Sequence, residues 1–174
     1  MTGNTKQIDI RKITLIGLLS ALCVVSRIML QFLPNIKPVT SIIILISCWL
    51  GWRFGVKLAV ISTFISNLIL GMGPWTIFQI FAWAVIALFS GLIRKLSISK
   101  SITFMACFSF FSGYIFGLFV SFEKMIYGGF KVYLAYYLAG LYFDTLHAIG
   151  NFIFMLVLYH PLKNLLFKYF DLRI

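Results

Sequence analysis

Apolar residues run through this chain in long blocks that short polar breaks separate. Six blocks stand out, over residues 13–33, 39–50, 56–70, 75–93, 101–122 and 141–159. The breaks are Pro34-Asn-Ile-Lys-Pro38, Gly51-Trp-Arg-Phe-Gly55, Gly71-Met-Gly-Pro74 and the Arg94–Lys100 stretch. Glycine lets a backbone turn sharply, and proline suits a turn or a first helical turn. A helix needs about 20 residues to cross roughly 30 Å of hydrocarbon, and continuous apolar runs argue for helices over a barrel. The pattern therefore predicts an all-α, polytopic membrane protein, with residues 1–174 forming one six-helix membrane domain. Residues 38–70 are too many for one span and few for two, so helices 2 and 3 are expected to be short, tilted or locally thinning the bilayer. Glu123 to Gly140, with Tyr127, Tyr133, Tyr136, Tyr137 and Gly128-Gly129, predicts an outer loop with an interfacial helix in its second half. Met1–Lys12 predicts a polar tail. Pro161 predicts the exit from the last span into an amphipathic basic tail with Lys163, Lys168 and Arg173.

Composition points the same way. The chain is 61% hydrophobic and 11% charged, against roughly 45–50% and about 25% in soluble domains. Its net charge of +11 would suggest nucleic acid in a soluble protein, but no polar domain exists to carry that function. The basic residues instead fall between apolar blocks. Lys6, Arg11, Lys12, Arg53, Lys57, Arg94, Lys95, Lys100, Lys163, Lys168 and Arg173 share one side of the expected topology, and Lys37, Lys124 and Lys131 the other. The positive-inside rule then puts both termini in the cytoplasm. The first apolar block is too long for a cleavable signal peptide and is expected to remain as a helix. Cys23, Cys48 and Cys107 lie inside apolar blocks without metal-ligand spacing, so they read as small core residues.

Candidate chemistry gathers at the expected outer face. On helix 1, Gly17 and Ala21 form a small-residue stripe, and Ser20, Cys23, Arg27 and Gln31 a separate polar one. Arg27 should face the bundle interior, since lipid exposure would cost at least about 2.5 kcal/mol. Asp144, His147 and Asn151 share one face of helix 6, and Asp144 is the acid best placed to pair with Arg27. The 71–74 hairpin brings Asn67, Trp75, Thr76, Gln79 and Trp83 near its tip, more polar and aromatic groups than a turn needs. The tyrosine-rich segment could close over them as a lid. Each feature has a structural reading too: an ordering polar cluster, or an interfacial aromatic belt.

Three stretches carry a family resemblance: Leu33-Pro-Asn-Ile-Lys-Pro-Val-Thr40, Ser66-Asn-Leu-Ile-Leu-Gly-Met-Gly-Pro-Trp-Thr-Ile-Phe-Gln-Ile-Phe-Ala-Trp83 and Asp144-Thr-Leu-His-Ala-Ile-Gly-Asn151. Together they resemble the substrate-binding S components of energy-coupling factor (ECF) vitamin transporters, most of all the cobalamin type. The resemblance implies a multi-pass subunit of a bacterial plasma membrane that binds a vitamin, here cobalamin, at its outer face. It also implies partners: a membrane scaffold subunit and two cytoplasmic ATPases. Gly17 and Ala21 match the small-residue scaffold-docking motif, with Gly where the family usually has Ala. For a corrinoid, Asn35, Asn67, Gln79, Asn151, Tyr133, Tyr136 and Trp83 would offer amides and aromatic walls. No GxxxxGK[ST] motif is present, so energy must come from the partners. No cofactor, metal or catalytic residue is implied. Other readings are an S component for another small vitamin or precursor, an intramembrane enzyme using Asp144 and His147, and a ligand-free structural subunit.

Overall fold

A computed structural model describes the backbone of residues 3–170 and the side chains of residues 10–168. Lys6, Asp9 and Arg173, expected in the terminal tails, have side chains outside that range. Among the described residues six α-helices follow in order: α1 (Gly3–Met29), α2 (Val39–Leu50), α3 (Trp52–Leu70), α4 (Trp75–Ile93), α5 (Ile102–Ser121) and α6 (Glu123–Phe170). A short 3-10 turn, Ser97–Lys100, precedes α5. No strand occurs among the described residues. Among the described residues five helices are long and apolar enough to cross a membrane; α2 is not one of them.

The α2 helix explains how the bundle is built. Its 12 residues span only about 18 Å at 1.5 Å per residue. It carries no charge, and its few polar residues are the small hydroxyls Thr40, Ser41 and Ser47, the pattern of a helix enclosed by protein. Every residue from Val39 to Trp49 is buried, and Ile42, Ile43, Ile44 and Leu45 are the centre of the core. The other five helices pack around it or around one another. Because protein surrounds α2, it has no bilayer thickness to match. The full-length neighbour, α3, begins directly after Gly51. The expected break over Gly51–Gly55 is thus one residue long, and helices 2 and 3 are one short and one full-length helix rather than two short spans.

The outward faces are apolar. Phe64, Ile65, Leu68 and Ile69 of α3 and Ile77, Phe81 and Phe89 of α4 are exposed. Such a patch would be an aggregation liability in water and is the face a lipid bilayer covers. Cys107 is also exposed, whereas Cys23 and Cys48 are buried; the expectation that all three fill the core is corrected for Cys107.

Three further expectations change. Residues 3–12 continue α1 instead of forming a polar tail, and α1 stops at Met29, before the turn that leads to Pro34. The 123–140 segment is helical, with one break at Gly129, whose φ of 71° and ψ of −170° suit glycine and few other residues. The polarity of that segment reflects a helix running past the hydrocarbon layer: beyond Gly129, α6 is roughly 60 Å long at 1.5 Å per residue, twice the roughly 30 Å layer. Finally, Pro161 sits inside α6, which continues to Phe170; neighbouring helices allow membrane helices to keep an internal proline.

The α5 and α6 pair is the most intimate in the molecule. A Cβ added at Gly113 would sit 2.7 Å from the Ala148 backbone nitrogen, and one added at Gly117 would collide with the Asp144 carboxylate. Small residues let two helix backbones meet this closely. That approach also sets where Asp144 lies.

Candidate functional site

One end of the bundle collects the C-terminal ends of α1, α3 and α5, the N-terminal ends of α2 and α4, and the middle of α6. An inner recess of about 80 Å³ is lined by Arg27, Asn35, Lys37, Val39, Gln79, Trp83, Phe116 and His147. Beside it lies an outer chamber of about 460 Å³, walled by Phe116, Val120, Tyr136, Ala139 and Phe143, with Ser121 and Asp144 as polar groups. Asn35, Gln79 and Phe116 line both spaces, so recess and chamber adjoin and together make up the candidate site.

Arg27 is the buried charge of this site, 8% exposed. Its Nη1 donates to Ser66 Oγ at 2.6 Å, and its guanidinium lies 5.4 Å from the Trp83 ring centroid. Among the described residues no carboxylate pairs with it; the expected Arg27–Asp144 pair is not formed. The physical reason is geometric. Asp144 is held against Gly117 on the α5 side of the chamber, while α1 packs on α3 and meets Ser66 first. Asp144 itself is 7% exposed and has neither ion pair nor hydrogen-bond partner among the described residues. It is therefore a free acceptor at the chamber wall.

His147 is wired into the recess. Trp83 Nε1 donates to Thr40 Oγ1 at 3.0 Å, and Thr40 Oγ1 lies 2.9 Å from His147 Nε2. The Trp83 and Phe116 rings are 4.5 Å apart, and Phe116 meets His147 edge-on at 5.0 Å. No hydrogen bond joins Asp144 to His147 among the described residues, so the two do not form an acid/base pair. Lys37, half-buried in the turn before α2, has its pKa lowered from the ordinary lysine value, first by burial and second by Arg27.

The hairpin residues do not all face the site. Asn67 Nδ2 donates to Thr76 Oγ1 and to Gln79 Oε1, each at 2.9 Å. Asn67 and Thr76 are buried behind the wall. Gln79, its oxygen held by Asn67, lines both recess and chamber. Asn67 is thus a positioning residue for Gln79. We expect Asn67→Ala and Gln79→Ala each to weaken ligand binding roughly tenfold, about 1.4 kcal/mol. The double variant should be little worse than either, since the two act through one amide. Additive losses in a titration series would show that Asn67 acts independently.

Of the other expected site residues, Tyr136 lines the chamber, with Lys124 Nζ 5.0 Å from its ring centroid. Tyr133 is buried behind it, stacked on Phe122 at 4.9 Å. Asn35, in the left-handed region at φ 57°, a conformation asparagine tolerates, donates from Nδ2 to the Phe143 carbonyl at 3.2 Å. That bond ties the α1–α2 turn to α6. Gln31 and Trp75 are exposed and line neither space. Asn151 is fully buried in the core, its carbonyl accepting from Ser41 and Ser109. On α1, Ser20, Cys23 and Arg27 face inward and Gly17 and Ala21 outward, with nothing within 4 Å of a Cβ at Gly17. Among the described residues no three His, Cys, Asp or Glu side chains come together as a metal site.

The sequence reading missed Lys37, Phe116, Gly117 and Ser121. The α5 residues carry a legible signal, Gly113-x-x-x-Gly117-x-x-x-Ser121, a small-residue ridge at helical spacing. Lys37 carries none beyond being a charge in a turn.

A family model described as ECF-type riboflavin transporter, S component, matches residues 7–168. No curated protein and no solved structure matched the chain. The match corrects the cobalamin assignment: the matching family is a riboflavin one. It is also a family of transporter subunits rather than enzymes.

Proposed function

The chain belongs to the family of ECF-type riboflavin transporter S components, and from that premise we propose that it binds riboflavin in the cavity described above. Membership makes it a multi-pass plasma-membrane protein and the vitamin-specific subunit of an importer. Its partners are a membrane scaffold and ATPase subunits.

The observation that carries the riboflavin reading, beyond the family, is the character of the cavity. Ligand pockets occupy roughly 300–1,000 Å³, with apolar walls and a few placed polar groups. A chamber of about 460 Å³ suits a flat tricyclic ring better than a corrin macrocycle with its many side chains. Phe116, Tyr136 and Phe143 supply flat apolar surface. Gln79 Nε2, Asn35 and Arg27 supply donors for a ring edge rich in carbonyl oxygens. Asp144 and Ser121 supply acceptors for a polyhydroxylated chain.

Orientation follows from charge. Arg53, Lys57, Arg94, Lys95, Lys100 and Lys163 lie at the end opposite the cavity, with Lys37, Lys124 and Lys131 at the cavity end. The positive-inside rule supports an outward-facing cavity and cytoplasmic termini.

The direct test is to titrate the detergent-purified chain with riboflavin, cobalamin, thiamine and biotin, following quenching of flavin fluorescence and calorimetric heat. Saturable riboflavin binding with quenching is expected. Tight binding of another vitamin, with none of riboflavin, overturns the assignment. Docking has its own test. Gly17 and Ala21 lie on an unoccupied face of α1, where a scaffold helix could approach closely. Gly17→Leu should leave riboflavin affinity unchanged and abolish uptake by the assembled complex. Undiminished uptake would place the docking face elsewhere.

A further inference from the structure

At the end opposite the vitamin cavity lies a second, smaller pocket of about 90 Å³, lined by Cys48, Trp49, Arg94, Ser99, Lys100, Tyr159, Lys163 and Phe167. It is a built site. Tyr159 donates from its hydroxyl to the Lys100 carbonyl at 3.1 Å, fixing the 3-10 turn against α6. Trp49 packs edge-on against Tyr159, their centroids 5.5 Å apart. Lys163 Nζ lies 5.7 Å from the Tyr159 ring centroid and 5.6 Å from that of Phe167, so its ammonium sits beside two aromatic rings.

Arg94, Lys100 and Lys163 converge here, and neither of the two carboxylates with described side chains, Glu123 and Asp144, is near. The C-terminal ends of α2 and α4 each offset about half a charge, which leaves a surplus of positive charge among the described residues around the pocket. Arginine binds phosphoryl oxygens through paired N–H donors, while lysine contributes a mobile point charge. The pocket is too small for a sugar or a nucleotide and well above the roughly 10–15 Å³ that admits one water. Its level is that of the polar headgroups, because α4 and α5 meet the aqueous phase there through Arg94–Ser101.

We propose that this pocket binds a phosphoryl group, held by Arg94, Lys100 and Lys163, and that its source is the headgroup of an anionic phospholipid of the cytoplasmic leaflet. Basic pockets between helices on that side take such headgroups. The bound lipid would clamp the 3-10 turn between α4 and α5 to the C-terminal part of α6.

The experiment is native mass spectrometry of the full chain in mild detergent, with added phosphatidylglycerol, phosphatidylcholine or inorganic phosphate. Wild type should retain phosphatidylglycerol at least tenfold better than phosphatidylcholine. Arg94→Gln and Lys163→Gln should each reduce that retention about tenfold, while riboflavin affinity at the other end is unchanged. Arg94→Lys, which keeps the charge and loses the paired donors, should fall between. If inorganic phosphate binds and displaces the lipid in wild type but not in Arg94→Gln, the site takes a free anion. Equal retention of both lipids, or retention of either ligand indifferent to both glutamine variants, overturns the proposal. Unchanged riboflavin affinity certifies that each variant is folded.

Discussion

Replacing Arg27 by methionine is expected to lower riboflavin affinity by about 10- to 100-fold without lowering the melting temperature of the ligand-free protein. Hydrogen bonds to charged groups contribute about 1.5–3 kcal/mol, and Arg27 offers donors beyond the one on Ser66. A buried charge without a carboxylate partner costs desolvation energy that an apolar side chain of similar length does not. The bundle should therefore tolerate or welcome methionine, while the ligand should not. Lysine should not restore binding, because a single ammonium lacks the further N–H donors that a guanidinium keeps for the ligand while it holds Ser66. Paired riboflavin titrations and thermal melts decide the matter. A fall in melting temperature with unchanged affinity would make Arg27 an ordering residue of the bundle.

Two glycines one turn apart on α5 should fail in opposite ways. Gly113→Val places a branched side chain against the Ala148 backbone, where a Cβ alone already sits 2.7 Å from nitrogen and 2.8 Å from Cα. Backbone cannot swing aside as a side chain can. The cost should lie at or above the upper end of the roughly 1–3 kcal/mol typical of overpacking, and the variant should aggregate or melt early. Gly117→Val meets the Asp144 carboxylate instead. That side chain can move into the adjoining chamber, so the fold should survive while the chamber loses volume and riboflavin binding is abolished. Size-exclusion profiles and melts test the first outcome, and titration of the folded variant tests the second. A well-folded Gly113→Val would show that α5 and α6 separate more readily than their contact suggests.

The sequence by itself determined the class of the protein, because that depends on local quantities. Apolar blocks near 20 residues, few charges and glycine–proline punctuation specify membrane helices whatever their partners. The inward stripe of α1 was legible for the same reason: Ser20, Cys23 and Arg27 are polar in an apolar background, and helical spacing puts them on one face. The hairpin and the Asp144–Asn151 stretch were legible as the marks of an S component, but not of its vitamin.

What only the tertiary structure decided concerns which helices are neighbours. In a membrane bundle the lipid-facing and protein-facing surfaces are both apolar, so periodicity does not tell α2, enclosed on every side, from an ordinary short span. Hydrogen-bond partners are chosen across helices 39, 43 and 107 residues apart in sequence: Arg27 with Ser66, Trp83 with Thr40, Thr40 with His147. No local pattern encodes those distances. Asn67 gives the sharpest case. Its place at the hairpin tip was plain from the chain, but only the packing of α3 on α4 shows that it grips Thr76 and Gln79. That packing leaves Gln79, and not Asn67, lining the cavity.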